Sequence, residues 1–254
     1  PDGRKAVTPN MGKIKETQYG YGADYVKCAV RDYTNLEEDE PVDGIYVSNV
    51  NANICQQIIS LKELGTIAKI DEDRPLYGFH TKWSPDSQYL MVVLRSLEKE
   101  EGILSWLTGK TVRRQHLFVL RPNDDNEYDV KHVVSWGSDA YSSSGGSDAL
   151  SSLHGDGNHP NWVQGETADS ILKYHKISMN HRAGMTNDAV KNQGFQVVVY
   201  DIDALFSDTT HAKVQPRVIS SRGSGHPTVY ADSLTGTAKY ILTDAYAKES
   251  GFFD

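Results

Sequence analysis

The segment "HGDGNHPNW" at 154–162 has two looser echoes, "FHTKWSPDS" at 79–87 and "GSGHPTVYADS" at 223–233. Each carries a histidine at or near its head: His80, His159 and His226, spaced 79 and 67 residues apart. A neutral imidazole either takes a proton or ligates a metal, and its ordinary titration lies near neutral pH. Three imidazoles meeting in one volume suit a borderline divalent ion such as Mn, Fe or Zn. His154, in the same run as His159, is a fourth candidate ligand. The chemistry therefore depends on what brings these positions together.

The three histidines open similar stretches of chain. "HTKWSPDSQYLMVVLRS" passes through a Pro-Asp turn into a β-rich run; "HPNWVQGETADSILKYHKISMNHR" does so with a longer turn, and "HPTVYADSLTGTAKYILTDAY" ends in another such run. Two further β-branched runs complete the first two units: "QHLFVLRP" (115–122) and "DVKHVVSWG" (129–137), then "GFQVVVYDID" (194–203) and "QPRVISSRG" (215–223). Earlier in the chain stand "DGIYVSNVN" (43–51) and the more ambiguous "ICQQIISLKELGTIAKI" (54–70). The opening "PDGRKAVTP" reads as the turn and second strand of a copy whose first strand is missing.

Four strands per unit is the pattern of a β-propeller blade. The spacing predicts an all-β fold of antiparallel blades near 1–78, 79–157, 158–224 and 225–254, the first and last incomplete. About three and a half units fall short of the roughly four to eight that close a ring, so part of a larger propeller is expected. A β-sandwich with coincidental turns is the competing architecture. Helix is expected only as single turns at "SLKELG" and "DIDALF". In a propeller the first strand of each blade lines the axis, and His80, His159 and His226 share that position.

The second strands add polar residues at matching offsets: Arg95, then Asn180, His181 and Arg182, then Asp244. A strand buried between blades should be apolar throughout. These residues are either rim positions or the lining of a channel mouth.

With 254 residues, 38% of them hydrophobic, the chain can bury a real core. No apolar run is long enough for a membrane-inserted helix. A net charge of −8 argues against a general binder of nucleic acid or anionic membrane. An acidic partner would need a local cation. The two cysteines, Cys28 and Cys55, have no metal-type spacing and are either one disulfide or two thiols.

The "WSPDSQYL" and "PDGR" turns resemble the TolB-like propellers, in which an aromatic-Ser-Pro-Asp-Gly turn joins the first two strands of each blade. Within that type, "HPNW" followed by "ISMNHR", and "GSGHPTVYADS" followed by "YILTDAY", are similar to blades of oligogalacturonate lyases. That resemblance implies a seven-bladed propeller with a manganese-like ion and an acidic oligosaccharide substrate. His159 and His226 would hold the metal with His154 or Asn180 completing the shell, and His80 would be the catalytic base. The family's additional histidine and glutamine beside the His226 position are missing from "GSGHPTV".

On this resemblance Arg95 or Arg182 would pair with a uronate carboxylate, Trp83 and Trp162 would stack on sugar, and Asn180 and Asp244 would contact substrate. Two other functions fit the same repeat. One is a non-catalytic propeller binding a protein or glycan; the other is the propeller of a prolyl-oligopeptidase-like serine peptidase, though no G-x-S-x-G elbow occurs.

Overall fold

The run "LMVVL" (90–94) is apolar at successive positions, as expected of a strand covered on both faces. It lies in β5 (Leu90–Lys99), where Leu90, Met91, Val92, Val93 and Leu94 are all fully buried. The computed structural model describes residues 3–17, 20–23, 43–99, 111–125, 127–137, 157–163, 175–181, 196–207, 215–220, 226–231 and 238–243. These are mostly strand, with three short helices.

The strands form four antiparallel sheets in chain order. The first is β1 (Lys5–Pro9), β2 (Gly44–Asn49) and β3 (Ile54–Ser60). The second is β4 (Leu76–Trp83), β5, β6 (Thr111–Pro122) and β7 (Tyr128–Gly137). The third is β8 (Gly157–Trp162), β9 (Lys176–His181), β10 (Gln196–Asp201) and β11 (Arg217–Ser220). The fourth pairs β12 (Thr228–Ala231) with β13 (Ala238–Leu242). Within each sheet the strands pair in sequence order, and among the described residues no sheet closes on itself.

Two apolar layers hold the first three sheets face to face. Leu90, Val92, Leu94, Phe118 and Leu120 on one face of the second sheet pack with Ile45, Ile59, Leu61 and Leu64 from the first sheet and its helix. On the opposite face Tyr77, Met91, Val93, Leu117 and Val119 meet Trp162, Ile177, Met179, Val198 and Tyr200 of the third sheet. The period of two along β5 feeds both layers at once. Each such side chain contributes about 1.5–3 kcal/mol by leaving water.

The helices are accessory. The expected turn at "SLKELG" is a capped helix, α2 (Leu61–Ile67). Ser60 Oγ accepts from the Glu63 amide at 3.1 Å while Glu63 Oε2 accepts from the Ser60 amide at 2.9 Å. "DIDALF" contributes α3 (Ile202–Ser207). A helix not foreseen from the sequence, α1 (Met11–Thr17), buries Ile14 in the layer between the second and third sheets. Cys55 is an exposed thiol on β3; Cys28 lies outside the described residues.

The β4–β5 turn is locked by its own side chains: Ser84 Oγ donates to Asp86 Oδ1 at 2.6 Å and accepts from the Tyr89 amide at 3.0 Å. The same turn is tied to the next sheet. His175 Nε2 lies 2.6 Å from Asp86 Oδ2, and His175 Nδ1 lies 2.7 Å from Asp203 Oδ1. Carboxylate oxygens only accept, so this bridge is complete when both ring nitrogens carry hydrogen.

Candidate functional site

The histidine echoes share a register. In the second sheet Gly78 pairs with Leu94 and Trp83 with Leu90; in the third, Gly157 pairs with His181 and Trp162 with Ile177. Each first strand fits one extra residue between those pairs, a β-bulge spanning Phe79–His80 in β4 and His159–Pro160 in β8. A bulge breaks the strict alternation of faces and re-aims a side chain. At His159 the backbone enters the left-handed region, with φ of 51°. Its counterpart His226 immediately precedes the β12 region, separated from Thr228 by Pro227.

All three histidines line one cavity of about 400 Å³. The residues two places further on, Lys82, Asn161 and Thr228, line it as well. The pocket therefore has two tiers drawn from three successive sheets, imidazoles in one and Lys-Asn-Thr in the other. Arg95, Phe79 and Tyr21 contribute to the wall. None of the described lining residues is acidic. In a chain of net charge −8 this is a local reversal of sign.

Phe79 organises one side. The Arg95 guanidinium lies over its ring at 3.4 Å, His80 meets it edge-on at 4.2 Å between ring centres, and Tyr21 at 5.4 Å. Arg95 Nε also donates to Gln115 Oε1 at 2.8 Å. Burial lowers Arg95 to about 10, so it stays charged at neutral pH. Burial first, then the charges of Arg95 and Lys82, hold His80 down to about 4. His80 is thus a neutral imidazole in a positive pocket.

On the other side the rings of His159 and His226 stack, with centres 3.7 Å apart and planes 35° from parallel. Two imidazoles bound at about 2.1 Å to one ion would hold their centres roughly 4.6–5.3 Å apart. Among the described residues no group of three His, Cys, Asp or Glu is placed to hold a metal ion. Lys82 and Arg95 further oppose a dication. The described donors do not fit a divalent ion.

The other site residues expected from the sequence divide. Trp83 and Trp162 do not line the pocket: Trp162 is 3% exposed in the layer between second and third sheets, its Nε1 donating to the Lys82 carbonyl at 2.9 Å. Trp83 packs against the layer between first and second sheets. Burial leaves the Trp162 ring no face for sugar, whereas Trp83 is half-buried. Asn180 is fully buried on β9, outside the pocket lining. Its neighbour His181 is buried too, with Nδ1 3.0 Å from the Tyr200 hydroxyl. His154, Arg182 and Asp244 lie outside the described residues.

Sequence reasoning missed Lys82, Asn161, Thr228 and Tyr21. The first three were within reach, because a strand returns to the same face every second residue. Tyr21 had no such signal; it comes from a distant segment. No protein-family model matches the chain, and no curated protein sequence matches it.

Proposed function

We propose that the sheets are blades of a propeller and that the pocket binds the carboxylate of an acidic sugar, with β-elimination of a uronate-containing oligosaccharide as the reaction. The observation that carries this reading is the convergence of a neutral His80 with Arg95 and Lys82 in one cavity with no acidic residue among the described lining. Uronate elimination needs those two elements. Positive charge beside the carboxylate makes the adjacent C5 proton more acidic. A neutral base within reach then removes it.

In this mechanism His80 takes the C5 proton, and that electron pair becomes the C4–C5 double bond as the C4–O bond breaks. The leaving oxygen is protonated by water or a hydroxyl. Arg95 and Lys82 depress His80 in the free protein. A bound carboxylate offsets their charge, so His80 becomes a stronger base once substrate is seated. No step requires the His159–His226 pair to hold an ion; stacked, they form the opposite wall.

The test is ultraviolet absorbance of the unsaturated uronate released from oligogalacturonate. His80→Ala should slow release by roughly 10²–10⁴-fold while ligand still binds. Binding without any elimination would make this a non-catalytic glycan-binding propeller instead.

A further inference from the structure

Resting on the acidic-sugar reading of the pocket, we infer that Lys82, steadied by Asn161, is the group that holds the ligand's carboxylate. Arg95 is the obvious alternative, but its placement is against it. The residue is 6% exposed, its guanidinium lies over Phe79 and its Nε is taken up by Gln115. It sets the local potential from a fixed position in the wall.

Lys82 differs in each respect. It is exposed at the pocket, two residues beyond His80 on the same strand. Among the described residues its ammonium makes one hydrogen bond, to Asn161 Oδ1 at 3.1 Å. An ammonium has three hydrogens, so two remain to donate. Asn161 occupies the equivalent position on β8, directly before Trp162 as Lys82 directly precedes Trp83. Because Lys82 takes the amide oxygen, the Asn161 Nδ2 hydrogens are turned away from the ammonium. Thr228, the third residue of this tier, adds a hydroxyl. An acceptor-only group on the ligand is what such a tier complements. The bond between Lys82 and Asn161 also crosses from the second sheet to the third, which limits the freedom of a long side chain before ligand arrives.

The experiment is calorimetric binding of digalacturonate and of its methyl ester to the full chain. Wild type should prefer the acid. Lys82→Met should erase most of that preference, weakening the acid by roughly 10–100-fold and leaving the ester unchanged. Asn161→Asp, which offers the ammonium an internal carboxylate, should weaken the acid in the same direction. Lys82→Met weakening acid and ester equally, or neither, would overturn the inference and leave the acidic-sugar reading standing. A wild type that binds neither ligand would remove both.

Discussion

His175 and Asp86 are 89 residues apart in sequence, yet Nε2 and Oδ2 meet at 2.6 Å between the β4–β5 turn and the start of β9. The bond sits beside the same sheet junction that brings His80 toward His159. Burial alone would raise the Asp86 carboxyl, but hydrogen bonds from Ser84, His175 and the Gln88 amide outweigh it and hold it below its usual value. Asp86→Asn and His175→Gln should each destabilise the fold by about 1–3 kcal/mol. In urea unfolding the double variant should cost clearly less than the sum of the singles. Strict additivity would mean that the two side chains do not act on each other.

His80 makes stability fall on the acid side. Its folded value of about 4 lies below the usual histidine value near 6.5, so the unfolded chain takes up a proton first as pH drops. The contribution is fully present above about pH 6.5 and is lost between there and about pH 4. His80→Gln should therefore show a flatter stability profile across that window, followed by denaturant midpoint. Parallel profiles for the two proteins would contradict the burial and charge assigned to this ring. On the proposed reading kcat/KM should need the neutral ring and so stay level down to the vicinity of pH 4.

The two tryptophans offer a contrast in one chemical change. Trp162 Nε1 has the Lys82 carbonyl as partner, whereas Trp83 Nε1 is buried with none among the described residues. Trp162→Phe loses a made hydrogen bond; Trp83→Phe removes a hydrogen-bond donor that was already unsatisfied. The first should cost about 1 kcal/mol more than the second in urea unfolding. Trp83→Phe should also leave digalacturonate affinity unchanged, and a loss of affinity there would restore Trp83 as a sugar contact.

On the proposed reading, charge on Lys82 and Arg95 takes the role that the resemblance gave to a metal. Digalacturonate affinity measured in EDTA and in added manganese should be the same. Binding that disappears on chelation and returns with manganese would show that an ion is held by ligands outside the described residues, with His159 and His226 rearranged to join them.

Much of the β architecture was legible because strand signals are local. Apolar runs bounded by Pro, Asp and Gly mark strands and turns wherever they fall, and the recurrence of "H…W" segments matched the shared register of β4 and β8. Helix α1 escaped because "NMGKIKET" carries no repeat and too short an apolar face to announce itself. The tryptophans were open to either role, since an indole beside a polar site has the same sequence signature whether it faces sugar or core. Packing decides this for Trp162, which is buried in the core.

By itself, then, the sequence determined the strand-rich class, the repeat, the histidine positions and the overall negative charge, all properties of single residues or of neighbours along the chain. The tertiary structure decided the sign of the pocket. Lys82 and Arg95 come from adjacent strands of one sheet, Asn161 and His159 from the next, His226 from a third and Tyr21 from a distant segment. Their fields add only when sheet stacking brings them within a few ångströms and takes water away, and burial pushes His80 down only in that setting. No linear spacing encodes that distance.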